Sequence, residues 1–148
     1  MKIIKIQIII YLMSNVLFGQ IKAIGLPQIK NYKKSEYKGG TQNWDIDQDK
    51  FGNMYFANNK CLMQFDGSTW KKYKSKKSDA MKCLKVDSKG TIYIGCYNEF
   101  GYFKANSKGK LEYFSISNSL DKKTLGIIDF IWKIHLYEDE VVFQSFAR

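Results

Sequence analysis

The sequence predicts an all-β fold on the basis of three observations. Short runs of β-branched and aromatic residues, such as MYFA and IYIG, are separated by turn sequences rich in Asp, Asn and Gly. After residue 19, apolar residues recur with no helical spacing, and the chain contains one proline. The phrase DKFGNMYFAN at residues 49–58 also returns as DSKGTIYIGC at residues 87–96.

Residues 1–19 are predicted to form a secretory signal peptide. Two lysines near the start precede a mostly apolar stretch, from Ile6 to Phe18, of about 13 residues. A membrane-spanning helix needs roughly 20 residues, so an uncleaved N-terminal anchor is the less favoured alternative. Cleavage is expected after Gly19, and the bond after Ala23 is nearly as suitable. The sequence therefore predicts an exported protein.

The charge of the chain argues against nucleic-acid binding, although it is strongly positive. The formal net charge is +10, with 24 Lys and Arg against 14 Asp and Glu, but the lysines are scattered and arginine occurs only at position 148. Proteins that read nucleic acid usually rely on arginine for bidentate contacts to bases and phosphates. We therefore expect no direct nucleic-acid binding by this segment.

A repeat with an offset of 38 residues organises the rest of the chain. Ile46 aligns with Leu84 and Tyr55 with Tyr93 without a gap, and a third copy begins near Trp132, where Glu-Asp-Glu replaces the glycine turn. Each complete copy holds four short strands in about 40 residues, which is the pattern of a β-propeller blade.

Each element of a copy has its own signal. The first strand alternates apolar and polar residues, and the D-x-x-G that follows is a tight turn, because Asp bonds its own backbone and Gly accepts a positive φ. A polar loop then joins the second strand to the third, and another turn leads to the fourth. This predicts a first blade at 44–78, a second at 79–120 and the start of a third at 121–148, with residues 124–131 as the loop that enters it.

The phrase D-x-x-G-x-h-Y-h-(A/G)…G-h-h-x-F-D-G resembles the two-component-regulator propeller repeat. The preceding GLPQIKNYKKSEYKGGTQNWDI is similar to the start of exported sensors from Bacteroidetes-type bacteria, and the resemblance covers roughly residues 24–145. Cys61 departs from the family pattern, which prefers Gly at that position.

The resemblance implies a partial β-propeller, with about two four-stranded blades plus the start of a third. Residues 20–43 would be a lead-in segment whose strand near 29–32 closes the ring. The chain would be the N-terminal piece of a longer periplasmic sensor, anchored in the inner membrane. Such sensors often carry a triple-tyrosine domain and a histidine-kinase or LuxR-like output, so the remaining blades and that output are the expected partners.

The loops between second and third strands are the predicted ligand-binding rim, because they would open on one face in every blade. Their amide, carboxylate and phenol groups suit a small ligand, with an oligosaccharide favoured by the family. Tyr97 is the preferred residue because it has no aromatic counterpart in the first copy. The alternative for every position is an ordinary hairpin loop. The rim residues are Asn58, Asn59, Tyr97, Asn98, Glu99, Gln144 and Ser145.

The cysteines leave two interpretations open. Cys83 and Cys96 lie on neighbouring predicted strands, so a disulfide is compatible with an exported protein, and free buried thiols are the alternative. With His135 as the single histidine and no suitable cysteine spacing, we predict no metal site and no cofactor.

The favoured function is ligand sensing for signal transduction and transcription regulation, without catalysis. A short secreted binding or adhesion protein that self-assembles is the first alternative. A fragment of a propeller carbohydrate-active enzyme is the least favoured, since no pair of carboxylates can be assigned as acid and base.

Overall fold

The structure, a computed structural model, describes residue 25 and residues 28–75 and 80–146. The predicted signal peptide, 1–19, lies outside the described residues. The chain divides into two compact units, residues 1–31 and 32–148. In the first unit, the described residues are exposed and have no regular secondary structure.

In the second unit, the described residues form two four-stranded antiparallel sheets and one two-stranded sheet. The strands of each sheet are neighbours in the order in which they occur in the sequence. The first sheet consists of β1 (Asn43–Gln48), β2 (Met54–Asn58), β3 (Leu62–Phe65) and β4 (Trp70–Tyr73). The second consists of β5 (Cys83–Val86), β6 (Ile92–Gly95), β7 (Phe100–Ala105) and β8 (Leu111–Ser115). The third consists of β9 (Ile131–Tyr137) and β10 (Glu140–Ser145).

Short helical segments connect these strands. Helix α1 (Lys34–Tyr37) precedes β1, a 3₁₀ turn spans Ser117–Ser119, and helix α2 (Lys122–Leu125) precedes β9. The prediction of a mainly β chain with antiparallel four-stranded sheets is confirmed, whereas these helical turns were not predicted. Residues 28–33 form no strand here, so the ring-closing strand near 29–32 stays a prediction.

The repeated phrase folds into a hairpin turn that its first aspartate holds closed. Asp49 Oδ1 accepts the N–H groups of Phe51 and Asn53, each at 2.9 Å, and Gly52 takes a φ of 87°. In the second copy, Asp87 accepts two backbone N–H groups at 2.8 Å each, and Gly90 takes a φ of 83°. The repeat therefore encodes the turn between the first and second strands of each four-stranded sheet.

Two apolar clusters join the three sheets face to face. The first lies between the first and second sheets, and the second lies between the second and third sheets. The first cluster includes Tyr55, Ala57, Leu62, Leu84, Ile92, Ile94 and Phe103. The second includes Cys83, Phe100, Ile131 and Ile134, with Val141 and Phe143 packed against them. The second sheet is therefore covered on both faces.

The first strands of consecutive sheets lie side by side, and two carboxylates join β1 to β5. Asp45 Oδ2 accepts the N–H of Leu84, and Asp47 Oδ2 accepts the N–H of Val86, each at 3.0 Å. The ammonium group of Lys85 lies 3.6 Å from the Asp47 carboxylate. These side chains satisfy edge N–H groups of β5 that no strand of the described chain covers.

Candidate ligand-binding patch

Three equivalent positions, at the starts of β1, β5 and β9, bring Trp44, Lys82 and Trp132 together. Trp44 has no residue directly opposite, because Asn43 pairs with Asn58 and Asp45 with Ala57. Trp132 is bulged in the same way, between residues paired with Ser145 and Gln144. A bulge turns the side chain out of the regular alternation of a strand.

Lys82 occupies the corresponding position of the second sheet. Its N–H donates to the Gly95 carbonyl at 2.8 Å, and the next residue, Cys83, also pairs with Gly95. The Lys82 ammonium lies 3.4 Å from the centre of the Trp44 ring and 5.5 Å from that of the Trp132 ring. A cation at these distances over aromatic faces is attracted by their negative π-systems.

Further aromatic side chains extend this cluster. The Phe130 ring lies 5.1 Å from the Lys82 ammonium and 4.9 Å from the Tyr97 ring, and a single β-bridge joins Tyr97 to Phe130. Phe146 packs on Trp132 with ring centres 5.5 Å apart. We call the whole surface the aromatic patch and define it by Trp44, Lys82, Tyr97, Phe130, Trp132 and Phe146.

The aromatic patch is open to solvent at several points. Trp44 is 42% exposed, Tyr97 52% and Phe146 74%. The indole Nε1 of Trp132 is buried and has no hydrogen-bond partner among the described residues. A buried donor without an acceptor costs free energy, so this N–H is a polar group that the described residues leave unsatisfied. Exposed rings with a few polar groups among them are typical of small-ligand sites.

Asn58 belongs to the predicted rim but is fully buried, and its amide is used within the protein. Its Oδ1 accepts the N–H groups of Gly40 at 2.7 Å and Lys60 at 3.1 Å. Its Nδ2 donates to the carbonyls of Gly40 and Gln42 and to Asn43 Oδ1. This corrects the expectation of an exposed ligand contact, because the amide holds the loop before β1 against the end of β2.

Glu99 was also predicted as an exposed ligand contact, and the structure corrects this prediction as well. It is 1% exposed and accepts hydrogen bonds from the Tyr113 and Ser117 hydroxyl groups, each at 2.6 Å. Burial, with the hydrogen bond to Glu99 as a smaller cause, raises the pKa of the Tyr113 phenol well above its usual value. Glu99 therefore belongs to the interior of the second sheet and does not face a rim.

The other predicted rim residues lie at or near the surface. Asn59 and Asn98 are half-buried, and Asn98 has a φ of 47°. Gln144 is exposed, with its Oε1 3.3 Å from His135 Nε2, and Ser145 is half-buried opposite Ile131. Of the predicted set, the described contacts bring only Tyr97 into the aromatic patch.

Cys83 and Cys96 do not form a disulfide in the structure, where both side chains are buried. The physical reason is the alternation of side chains along neighbouring strands. Cys83 pairs with Gly95, so Cys96 points to the opposite face of the second sheet. Cys83 accordingly packs against Ile131, while Cys96 packs in the cluster that faces the first sheet.

Among residues 28–75 and 80–146, no group of His, Cys, Asp and Glu side chains is arranged to hold a metal ion. The same part of the chain contains no helix that is both long and apolar enough to cross a membrane. Neither a protein-family model nor a curated protein sequence matches this chain.

The sequence marked Trp132 as the start of the third copy but did not predict that it lies beside Trp44 and Lys82. The signal for the patch was present, since the offset that aligns Ile46 with Leu84 also places Trp44 on Lys82. The bulges, which turn these side chains toward one another, depend on pairing between strands and leave no local sequence pattern.

Proposed function

We propose that this chain forms part of an exported β-propeller sensor domain that binds a small ligand, with glycans as the favoured class. Binding would be relayed to transcription regulation by other parts of the sensor. The observation that carries the proposal is the aromatic patch, which joins the first strands of all three described sheets through Trp44, Lys82 and Trp132.

The arrangement of the sheets supports a propeller. Each four-stranded sheet is a simple antiparallel meander, consecutive sheets stack face to face, and the first strands β1, β5 and β9 are neighbours. In a propeller, the first strand of every blade lies nearest the axis. The aromatic patch would then lie at one end of that axis, where a ligand can contact several blades together.

The chemistry of the patch supports a saccharide. The C–H face of a sugar ring is apolar and weakly positive, so it complements the negative face of an aromatic ring. Trp44 and Tyr97 offer exposed rings, and the Lys82 ammonium group beside Trp44 offers a donor to a hydroxyl group. A ligand that contacts more than one sheet stabilises one arrangement of the sheets over another, which is how binding shifts an equilibrium.

The test measures oligosaccharide binding by titration calorimetry and by tryptophan fluorescence on the full chain. We expect at least one oligosaccharide in a panel to bind, and Trp44→Ala to abolish its binding. Phe51→Ala is the matched control, because Phe51 is 79% exposed in the turn at the other end of β1. A panel in which nothing binds, or equal losses in both variants, would contradict the proposal.

The sensor role needs a second measurement, in the bacterium that carries the gene. The oligosaccharide that binds in vitro should change transcription of a set of genes, and Trp44→Ala should remove that response. If binding is confirmed but transcription is unaffected by the variant, a secreted binding or adhesion protein becomes the better interpretation.

A further inference from the structure

We infer that the ligand of the aromatic patch is a saccharide that carries a carboxylate or a sulfate group. The inference rests on the proposed function, because it assigns the ligand class of the same patch. The central observation is the Lys82 ammonium group, which lies among the rings of Trp44, Phe130 and Trp132.

The charge of Lys82 has no acidic partner in the part of the chain that the structure describes. The ion pairs found there join Lys71 to Asp66 and Lys85 to Asp47. The carboxylate of Asp45, next to Trp44, is instead engaged with the N–H of Leu84 at 3.0 Å. Lys82 is therefore a cation among aromatic rings whose charge no acidic side chain of the described residues balances.

The surroundings of Lys82 strengthen its interaction with an anion. Aromatic rings displace water, and a charge pair is stronger where the local dielectric constant is low. An ammonium group suits the oxygen atoms of a carboxylate or sulfate, while the exposed ring of Trp44 suits the adjoining sugar.

A second basic feature lies at the same end of the first sheet. Lys38, Lys60, Lys72 and Lys74 line a cavity of about 470 Å³ together with Cys61. This end is where β1 begins and β2 ends, since Asn43 pairs with Asn58. An acidic saccharide of several units would thus meet positive charge beyond the patch itself.

The experiment compares matched saccharides in which the negative charge is removed and the sugar backbone is kept. One pair is the galacturonic acid tetrasaccharide and its methyl ester, which tests a carboxylate. The other pair is a carrageenan tetrasaccharide and the same sugar after desulfation, which tests a sulfate. Calorimetry on the full chain is expected to show that the charged member of one pair binds about tenfold more tightly than its neutral form.

Substitutions assign that preference to Lys82. Lys82→Met keeps the apolar stem and is expected to remove most of the difference within the pair, while Lys82→Arg retains it. The matched control is Lys89→Met, since Lys89 is exposed in the turn between β5 and β6 at the opposite end of the second sheet. Unchanged melting temperatures would show that the variants are folded.

The outcomes separate this inference from the proposed function. If the charged and neutral saccharides bind with equal affinity, the inference of an acidic ligand is overturned. If Trp44→Ala still abolishes binding in that case, glycan binding by the patch is retained. The inference is also overturned if Lys82→Met still binds the charged saccharide more tightly than its neutral form. If no saccharide in the panel binds, the proposed function and this inference both fail. The pair that shows the preference identifies the anion as carboxylate or sulfate.

Discussion

At the scale of single residues, Asn58 shows how one buried amide fixes the loop before β1. Its amide makes hydrogen bonds to Gly40, Gln42, Asn43 and Lys60 in an environment closed to water. We predict that Asn58→Ala lowers the free energy of unfolding by about 2–4 kcal/mol, because it leaves several buried groups unpaired. Urea unfolding followed by tryptophan fluorescence measures the loss.

Two further variants make that prediction specific. Asn58→Asp has the same shape but cannot donate hydrogen bonds, so it should be at least as damaging as alanine. Asn118→Ala changes an exposed asparagine and should alter stability by less than about 0.5 kcal/mol. If Asn58→Asp leaves the free energy of unfolding unchanged, the hydrogen bonds donated by Asn58 Nδ2 contribute little to stability.

Cys83 gives a prediction about pH. Burial, with the nearby Asp45 carboxylate as a smaller cause, raises the pKa of the Cys83 thiol to about 12. The thiol of the unfolded chain loses its proton near pH 9, whereas the folded protein keeps it. Unfolding therefore releases a proton between about pH 9 and pH 12, and the contribution of Cys83 to stability is complete below this range and lost as the pH rises through it.

We expect the wild-type protein to lose stability more steeply than Cys83→Ala above pH 9, by at most about 1.4 kcal/mol per pH unit. Urea unfolding of both proteins between pH 7.5 and about pH 10.5 provides the comparison. Burial also raises the pKa of the Tyr55 and Tyr113 phenols, and both proteins share that effect. If the free energy of unfolding falls with pH equally in the wild-type protein and in Cys83→Ala, the loss of stability does not come from Cys83.

At the scale of elements, the two aspartates of β1 replace a neighbouring strand for the edge of β5. We predict that Asp45→Ala destabilises the protein by about 1–3 kcal/mol, because the N–H of Leu84 loses its acceptor. Hydrogen exchange at the Leu84 amide should also become faster. Asp45→Asn keeps an acceptor oxygen and should retain most of the exchange protection of the Leu84 amide. If Asp45→Asn and Asp45→Ala destabilise the protein equally, the loss of charge, and not the loss of the acceptor, is the cause.

The elements also show what can be predicted from the sequence. The turns at Asp49 and Asp87 could be predicted because the aspartate, the glycine and the bonds between them lie within a few residues. Helix α1 could not be predicted, since four residues are too few to show a helical period. Of the aromatic patch, only Tyr97 was predicted as a ligand contact, because the patch depends on pairing across strands. The burial of Asn58 could not be predicted, since its partners Gly40 and Gln42 are distant in the sequence.

At the scale of the whole molecule, the described sheets form a stack whose two outer faces carry exposed apolar residues. Asp45 and Asp47 point toward β5, so Ile46 points away from the second sheet, and it is 51% exposed. Val141 and Phe143 pack toward the second sheet, so Val142 points away from it, and it is 42% exposed. These two faces differ, and contact between them would join copies head to tail.

We therefore predict that the chain self-associates as its concentration rises. Light scattering coupled to gel filtration should show an average mass that increases with protein concentration. Ile46→Lys and Val142→Lys should each lower that mass, because a charge on either apolar face opposes the contact, and β10 also has an unpaired edge within the described chain. Phe51→Lys adds the same charge at an exposed turn and should leave the association unchanged. A constant monomer mass at all concentrations would show that these apolar faces do not associate with each other.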